Sequence, residues 1–198
     1  MGKHRAAGTR RSTSPTADEL LRREEIDRAM RDLTVPHRRQ AAYWRLRGFG
    51  PAAREAVEAG LLADDPTLRA QCALLIDRLA GNDSFELMLL LLDDPDPRVR
   101  HHAMHALACD RCKSDDVCAL PSGQIIVAAV RMLETDPDAG VRAIALEVLA
   151  RWVHEDDAAR AAIERAAESD PAPGNRKKAK WYLPGGKAFE RTKPKVRT

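Results

Sequence analysis

The sequence predicts an all-α protein built as a stack of helical hairpins, and three observations carry the prediction. A proline-anchored phrase recurs: DDPTLRAQCALLIDRLA at 64–80, DDPDPRVRHHAMHALAC at 93–109, TDPDAGVRAIALEVLA at 135–150 and a degraded SDPAPGNRKKAKWYL at 169–183. Apolar residues after each anchor return at helical spacing, and the run before each anchor supplies a second helix. Alanine and leucine dominate while aromatic residues make up only 4%, which suits close helix packing, and no strand run or hairpin turn competes.

Taken in order, residues 1–17 read as a disordered basic arm rich in Ser, Thr, Gly and Arg. Residues 18–50 read as N-terminal capping helices. The first, DELLRREEIDRAMRDL (18–33), places Leu21, Ile26, Met30 and Leu33 along one side, and the second, 36–47, contains Tyr43, Trp44 and Leu46. Gly48-Phe49-Gly50 mimics a dinucleotide loop, but it follows a helix rather than a strand and reads as an interhelical turn. Residues 51–183 then form the repeat body. The anchors at 65/66, 94/95, 136/137 and 170/171 give repeat lengths of 29, 42 and 34 residues. In each anchor the Asp can cap a helix and the Pro suits its first turn. Val99, Ala103, Ala106 and Leu107 share one face, as do Val141, Ile144, Ala145, Val148 and Leu149. The stretches 51–63, 84–92, 122–134 and 156–168 are the partner helices, and LMLLLL within the second is read as buried helix. Residues 184–198 read as a basic C-terminal tail.

The anchored phrases resemble HEAT repeats, in particular the short bacterial, phycobilisome-lyase-like kind with a D-P-x-x-x-V-R-x-x-A-x-x-A-L core. DPDPRVRHHAMHAL matches throughout, DPDAGVRAIALEVL has valine for the second alanine, and DPTLRAQCALLI is one residue shorter with cysteine for the first. The last copy has Asn175-Arg176 where Val-Arg is expected, as in a terminal capping repeat. The resemblance spans roughly 51–183 and implies a right-handed α-solenoid of about four HEAT-like hairpins, used mostly to bind macromolecules. Some DNA alkylation-repair glycosylases and bilin lyases resemble this architecture too, but a glycosylase needs a basic cleft with clustered aromatics. Here Trp44, Trp152 and Trp181 are spread over distant hairpins.

The net charge of +3 conceals an uneven distribution: residues 1–11 carry +4 and residues 174–198 carry +8, leaving −9 for 12–173. An acidic body argues against a repeat surface that wraps nucleic acid, since phosphate neutralisation supplies most of that affinity. At the basic end Arg176, Lys177, Lys178, Lys180, Trp181 and Tyr182 mix cations with rings, a pairing that can hold a single strand by charge and stacking. The competing reading makes Trp181 and Tyr182 the cap of the last apolar layer and the cations a solubilising surface. Residues 1–15 lack an apolar stretch of signal-peptide length, and no window approaches the ~20 apolar residues of a membrane span, so a cytoplasmic chain without a membrane partner is expected.

The long interval between the second and third anchors holds an insert, 109–120, with the sharpest chemistry. His105, Cys109, Cys112 and Cys118 form H-x3-C-x2-C-x5-C. The Cys109-x-x-Cys112 step is the short chelate loop of zinc sites, and three thiolates with one imidazole complete a closed tetrahedral set of the structural kind. His102 is the alternative fourth ligand, two turns from Cys109 where His105 is one. Inert thiols, a disulfide and a redox dithiol are the other readings of these cysteines, and Cys72 reads as a core residue. No catalytic constellation can be named. The expectation is therefore a HEAT-repeat binding or scaffold protein that is not an enzyme, with a structural zinc site and a protein partner on the solenoid surface. The alternative is a nucleic-acid-binding, DNA-repair or lyase-like factor that uses the basic C-terminal segment.

Overall fold

The computed structural model describes residues 16–79, 84–108 and 122–194, and among them it is helical throughout, with no strand. Helix α1 spans Ala17–Asp32, α2 Arg39–Phe49, α3 Arg54–Gly60, α4 Pro66–Leu79, α5 Ser84–Leu90, α6 Pro97–Ala108 and α7 Ser122–Thr135. Helices α8 (Ala139–Leu149), α9 (Asp157–Ser169), α10 (Pro173–Trp181) and α11 (Lys187–Thr192) complete the chain. The odd-numbered helices α1 to α9 and the even-numbered helices α2 to α10 alternate as the two layers of a solenoid. In the even layer each helix packs on the next, from α2 through α10.

Local chemistry sets the boundaries. Thr16 opens α1 with a capping box: its backbone N–H donates to Glu19 Oε2 at 2.7 Å, and Glu19 N–H donates to Thr16 Oγ1 at 3.3 Å. The buried stripe of α1 is Ile26, Ala29 and Leu33. Leu21, expected on that stripe, is 59% exposed. The reason is angular: Leu21 lies about 140° from Ile26 on a 100°-per-residue wheel, whereas 26, 29 and 33 follow the i, i+3, i+7 spacing. Gly50 turns the chain out of α2 at φ 55°, a left-handed conformation that glycine adopts freely, and a 3-10 turn leads into α3. Gly60 lets α3 meet α4 closely, because a Cβ there would lie 2.5 Å from Cys72 Sγ and 2.8 Å from Met30 Cε. Cys72 is the expected core residue, and burial pushes its thiol up to about 12.

The LMLLLL run is helix α5 followed by a 3-10 turn at Leu91–Asp93, with Met88, Leu91 and Leu92 buried. Burying each such side chain contributes roughly 1.5–3 kcal/mol. Asp156 caps α9, accepting Ala159 N–H at 2.8 Å. Pro184-Gly185-Gly186 ends the fourth hairpin, with Gly185 at φ 83°. The stretch read as a tail then continues into α11, which buries Phe189 and meets the α8–α9 turn, His154 Nε2 lying 2.9 Å from Thr192 Oγ1.

The anchors do more than cap. In the first copy the helix begins at Pro66, and Asp65 Oδ1 accepts Thr67 N–H, as expected. In the other three the helix starts two residues beyond the anchor proline, and the anchor aspartates Asp94, Asp136 and Asp170 join consecutive repeats instead. Each accepts an N–H two residues on, from Asp96, Asp138 or Ala172. Each also takes a two-pronged pair from the previous repeat: Arg69 to Asp94 at 2.7 and 3.0 Å, Arg100 to Asp136 at 2.7 and 2.8 Å, and Arg142 to Asp170 at 2.9 and 3.0 Å. The remaining Nη1 of each arginine closes its own turn on the carbonyls six and five residues back. Arg39 keeps part of this habit, its Nε donating to Leu33 O at 3.0 Å. The repeat register is thus set by Arg69, Arg100, Arg142 and Arg176, and Arg39 of α2 makes only the backward contact of that series.

Candidate functional site

That register aligns side chains on the even-numbered layer. Five residues after each arginine stand Trp44, Leu74, His105, Glu147 and Trp181, one per helix. Trp44 is 55% and Trp181 45% exposed, which is costly for large apolar rings unless they serve a contact. Tyr43 meets Trp44 edge-on at 5.4 Å, and the Arg47 guanidinium lies 5.0 Å from the indole centroid. Pro36, Tyr43, Trp44 and Leu74 wall a groove of about 370 Å³ between α2 and α4.

Helix α6 carries the three histidines of the middle repeat. His101 Nδ1 lies 3.3 Å from Gly140 O on α8, and its ring meets His102 edge-on at 5.3 Å. His102 is partly buried. Desolvation, with the neighbouring His101, His105 and Arg98 charges, lowers its imidazole to about 4, so it is neutral near pH 7. His105, on the last turn, is half exposed and turns toward α4, its Nε2 4.0 Å from Asp77 Oδ2. Asp77 is 5% exposed, and its Oδ1 has no hydrogen-bond partner. Cys109, Cys112 and Cys118 lie outside the described residues, and among those described no group of three or more His, Cys, Asp or Glu could hold a metal. His105 and His102 are thus the two expected ligands whose surroundings are visible.

The basic candidates divide. Arg176 Nη1 donates to Asp170 O at 2.6 Å and Pro171 O at 3.3 Å, and Lys178 pairs with Glu147. Tyr182 is half-buried, and its phenol is raised by burial first and by Glu147 second. Lys177, Lys180 and Trp181 are exposed. These residues belong to the fourth hairpin rather than to a free tail, and intramolecular partners already hold two of the cations.

The complex of CpcE and CpcF of phycocyanin lyase from Nostoc sp. PCC7120 matches the chain with a TM-score of 0.63 at 16% identity, over 79% of this chain and 96% of that one. The chain has a HEAT-like fold. No family model and no curated protein matches it. The match overturns one expectation, that the chain is not an enzyme: the structure it resembles is that of a lyase, so this architecture serves an enzyme there. The matched structure is a complex of two proteins. Among the described residues no helix is long and apolar enough to cross a membrane.

Proposed function

We propose that the chain is a protein-binding HEAT-like subunit that works in an assembly with a second protein, and that its insert holds a structural zinc ion. The observation that carries the binding reading is the row of side chains on the even-numbered layer, in which Trp44, His105, Glu147 and Trp181 are exposed. Exposed tryptophans on a rigid scaffold are typical anchors of protein interfaces. The CpcE–CpcF match adds a HEAT-like precedent for pairing with a second chain. A photoreactive amino acid at position 44, activated in cells, should give a discrete cross-linked adduct. The same group at position 127, on the opposite layer, should not. Equal labelling at both positions would sink this reading.

The zinc would be held by His105 with Cys109, Cys112 and Cys118, the set whose spacing first suggested it. Its role would be to order the long connection between α6 and α7, which has little apolar content of its own. Elemental analysis of protein purified without added metal should find one zinc per chain, and Cys112→Ser should lose it. Metal-free wild type rejects the site.

A second reading, a lyase-like role, is favoured by the fold match. Mixing the chain with bilin-free phycocyanin apoprotein and a free bilin tests it: bilin that stays on the apoprotein after denaturation supports it, and none retained removes it. Single-strand binding through residues 176–182 is the remaining alternative. It predicts salt-dependent affinity that disappears with Lys177→Ala and Lys180→Ala.

A further inference from the structure

Charge is sorted between the two layers in the first half of the solenoid. Helices α2, α4 and α6 carry seven arginines against one acid, the buried Asp77, whereas their hairpin partners α1, α3 and α5 carry nine acids against five arginines. From Leu33 to Arg54 the chain has no acidic residue at all. The acidic average of the body therefore hides one cationic face, and the groove between α2 and α4 lies on it. Arg39 marks one end of that groove. Its Nε closes the turn on Leu33 O, the task that Nη1 performs in the later repeats, and Ala63 stands where Asp94, Asp136 and Asp170 answer the other arginines. Its Nη1 and Nη2 have no partner among the described residues. At the other end Arg47 lies over Trp44, and the exposed Arg78 follows Gln71 by seven residues and Leu74 by four, on their face of α4. The middle is apolar, walled by Tyr43, Trp44 and Leu74, and no acid lines it.

We infer that this groove takes an extended acidic segment of the partner protein, with two carboxylates about four residues apart and an apolar side chain midway between them. The inference rests on the protein-binding reading above and gives that partner its chemistry. Arg39 and Arg47 stand eight residues apart on α2, which is about 12 Å along the helix axis. An extended chain rises about 3.3 Å per residue, so about four residues cover that span, and alternate side chains face the same way. Residues i, i+2 and i+4 of such a segment thus meet Arg39, the Tyr43, Trp44 and Leu74 walls, and the Arg47 and Arg78 guanidinium groups in turn, each fork matching a carboxylate. Gln40 and Gln71 line the groove too, and their carboxamides, unpaired among the described residues, can hold a peptide N–H or C=O of the segment. A single strand of nucleic acid fits less well. It carries a phosphate at every nucleotide, and the apolar middle of the groove offers no cation to meet one.

Fluorescence anisotropy on the full chain tests this with three labelled peptides. The first has aspartates at i and i+4 around a leucine at i+2, the second replaces both aspartates by asparagine, and the third sets the aspartates side by side. The first should bind, and the other two should bind about tenfold more weakly or worse. Arg78 is exposed and has no contact to lose among the described residues, so Arg78→Gln should weaken the first peptide about threefold without touching the fold. Adding Arg39→Gln should bring the loss to about tenfold, with helicity and melting checked against wild type. A single-stranded oligothymidylate should not displace the peptide. The inference is overturned if the first peptide does not bind, if the asparagine form binds as tightly, if the double variant stays within about twofold of wild type, or if the oligonucleotide competes at equal concentration. The cross-link at position 44 separates this from the broader reading. An adduct that forms in cells and persists undiminished in the double variant overturns the acidic segment and leaves protein binding standing. With no adduct and no bound peptide, both fall together.

Discussion

Arg142 and Arg176 occupy the same place in successive repeats, and their surroundings differ on one side only. Each folds Nη1 back onto the carbonyls six and five residues earlier, Arg142 at 2.9 and 3.1 Å and Arg176 at 2.6 and 3.3 Å. Arg142 then reaches forward to Asp170, a pair whose side chains are 8% and 2% exposed. No further repeat follows Arg176 among the described residues, and its Nε and Nη2 have no partner there. The residue before each changes in step. Val141 is apolar and buried, whereas Asn175 in the same slot spends its amide on Ala139 O at 3.0 Å and on Asp170 Oδ2 at 3.4 Å. The difference teaches that the repeat arginine has two separable tasks, closing its own turn and fastening the next hairpin, and that the last copy keeps only the first.

The largest expected effect follows from breaking a closed junction. Arg142→Met leaves the Asp170 carboxylate buried without its counter-ion and should cost about 3 kcal/mol in chemical denaturation. Arg176→Met removes only carbonyl contacts at a partly exposed site and should cost less than about 1 kcal/mol. Equal losses would mean that the forward pair adds nothing beyond the turn. Asp170 also predicts an acid limit. Burial alone would raise its carboxyl, but the Arg142 hydrogen bond, the Ala172 N–H and the Arg142 charge together bring it below the ordinary value. That contribution is present above the unfolded carboxylate value near 4 and is lost as pH falls through the lower folded one.

How much of this could be read from the chain depends on range. Hairpins, turns and the Cys72 core slot were legible because they rest on i, i+3 and i+4 spacing and on Gly and Pro. The junctions were not, because an Asp before a Pro reads first as a helix cap and its arginine lies 25 to 36 residues away. Counting from Asp-Pro pairs also misjudged the first interval as 29 residues, whereas Arg69 to Arg100 is 31, since the first helix starts directly at its proline. Asp77 left a faint signal: it falls four residues after Ala73 and seven after Ala70, on a stripe that is buried throughout. A lone acid on a buried stripe is the pattern that could have marked it.

A mid-sized effect separates the histidines of α6 from the ladder. His102 is lowered to about 4 in the folded chain, against roughly 6.5 unfolded. Because the unfolded chain binds the extra proton between those values, stability is full above about pH 6.5 and is lost as pH falls toward about 4. With its partial exposure to water taken into account, the loss should be on the order of 1–2 kcal/mol. His102→Gln should flatten this part of the pH–stability curve and leave the fall at lower pH that belongs to Asp170. A variant curve that overlies wild type between pH 4 and 6.5 would remove His102 from the account.

The smallest expected effect tests the register itself. If Arg39 belongs to the same series, the residue that should answer it is the one matching Asp94, Asp136 and Asp170, six positions before the next arginine. That residue is Ala63, whose carbonyl already accepts Arg69 Nη1 at 2.8 Å as Asp94 and Asp136 do for their own arginines. Ala63→Asp should therefore supply a missing junction between the first and second hairpins. The gain is limited, because Arg39 must release its Nε from Leu33 O to reach forward and the site is only partly buried. A stabilisation of about 0.5–1 kcal/mol is expected, abolished when Arg39→Met is added. An aspartate in place of Leu62, one step out of register, should do nothing for Arg39. If Leu62→Asp stabilises as much as Ala63→Asp, the benefit is general surface charge, and the α1–α2 hairpin is a cap rather than a repeat.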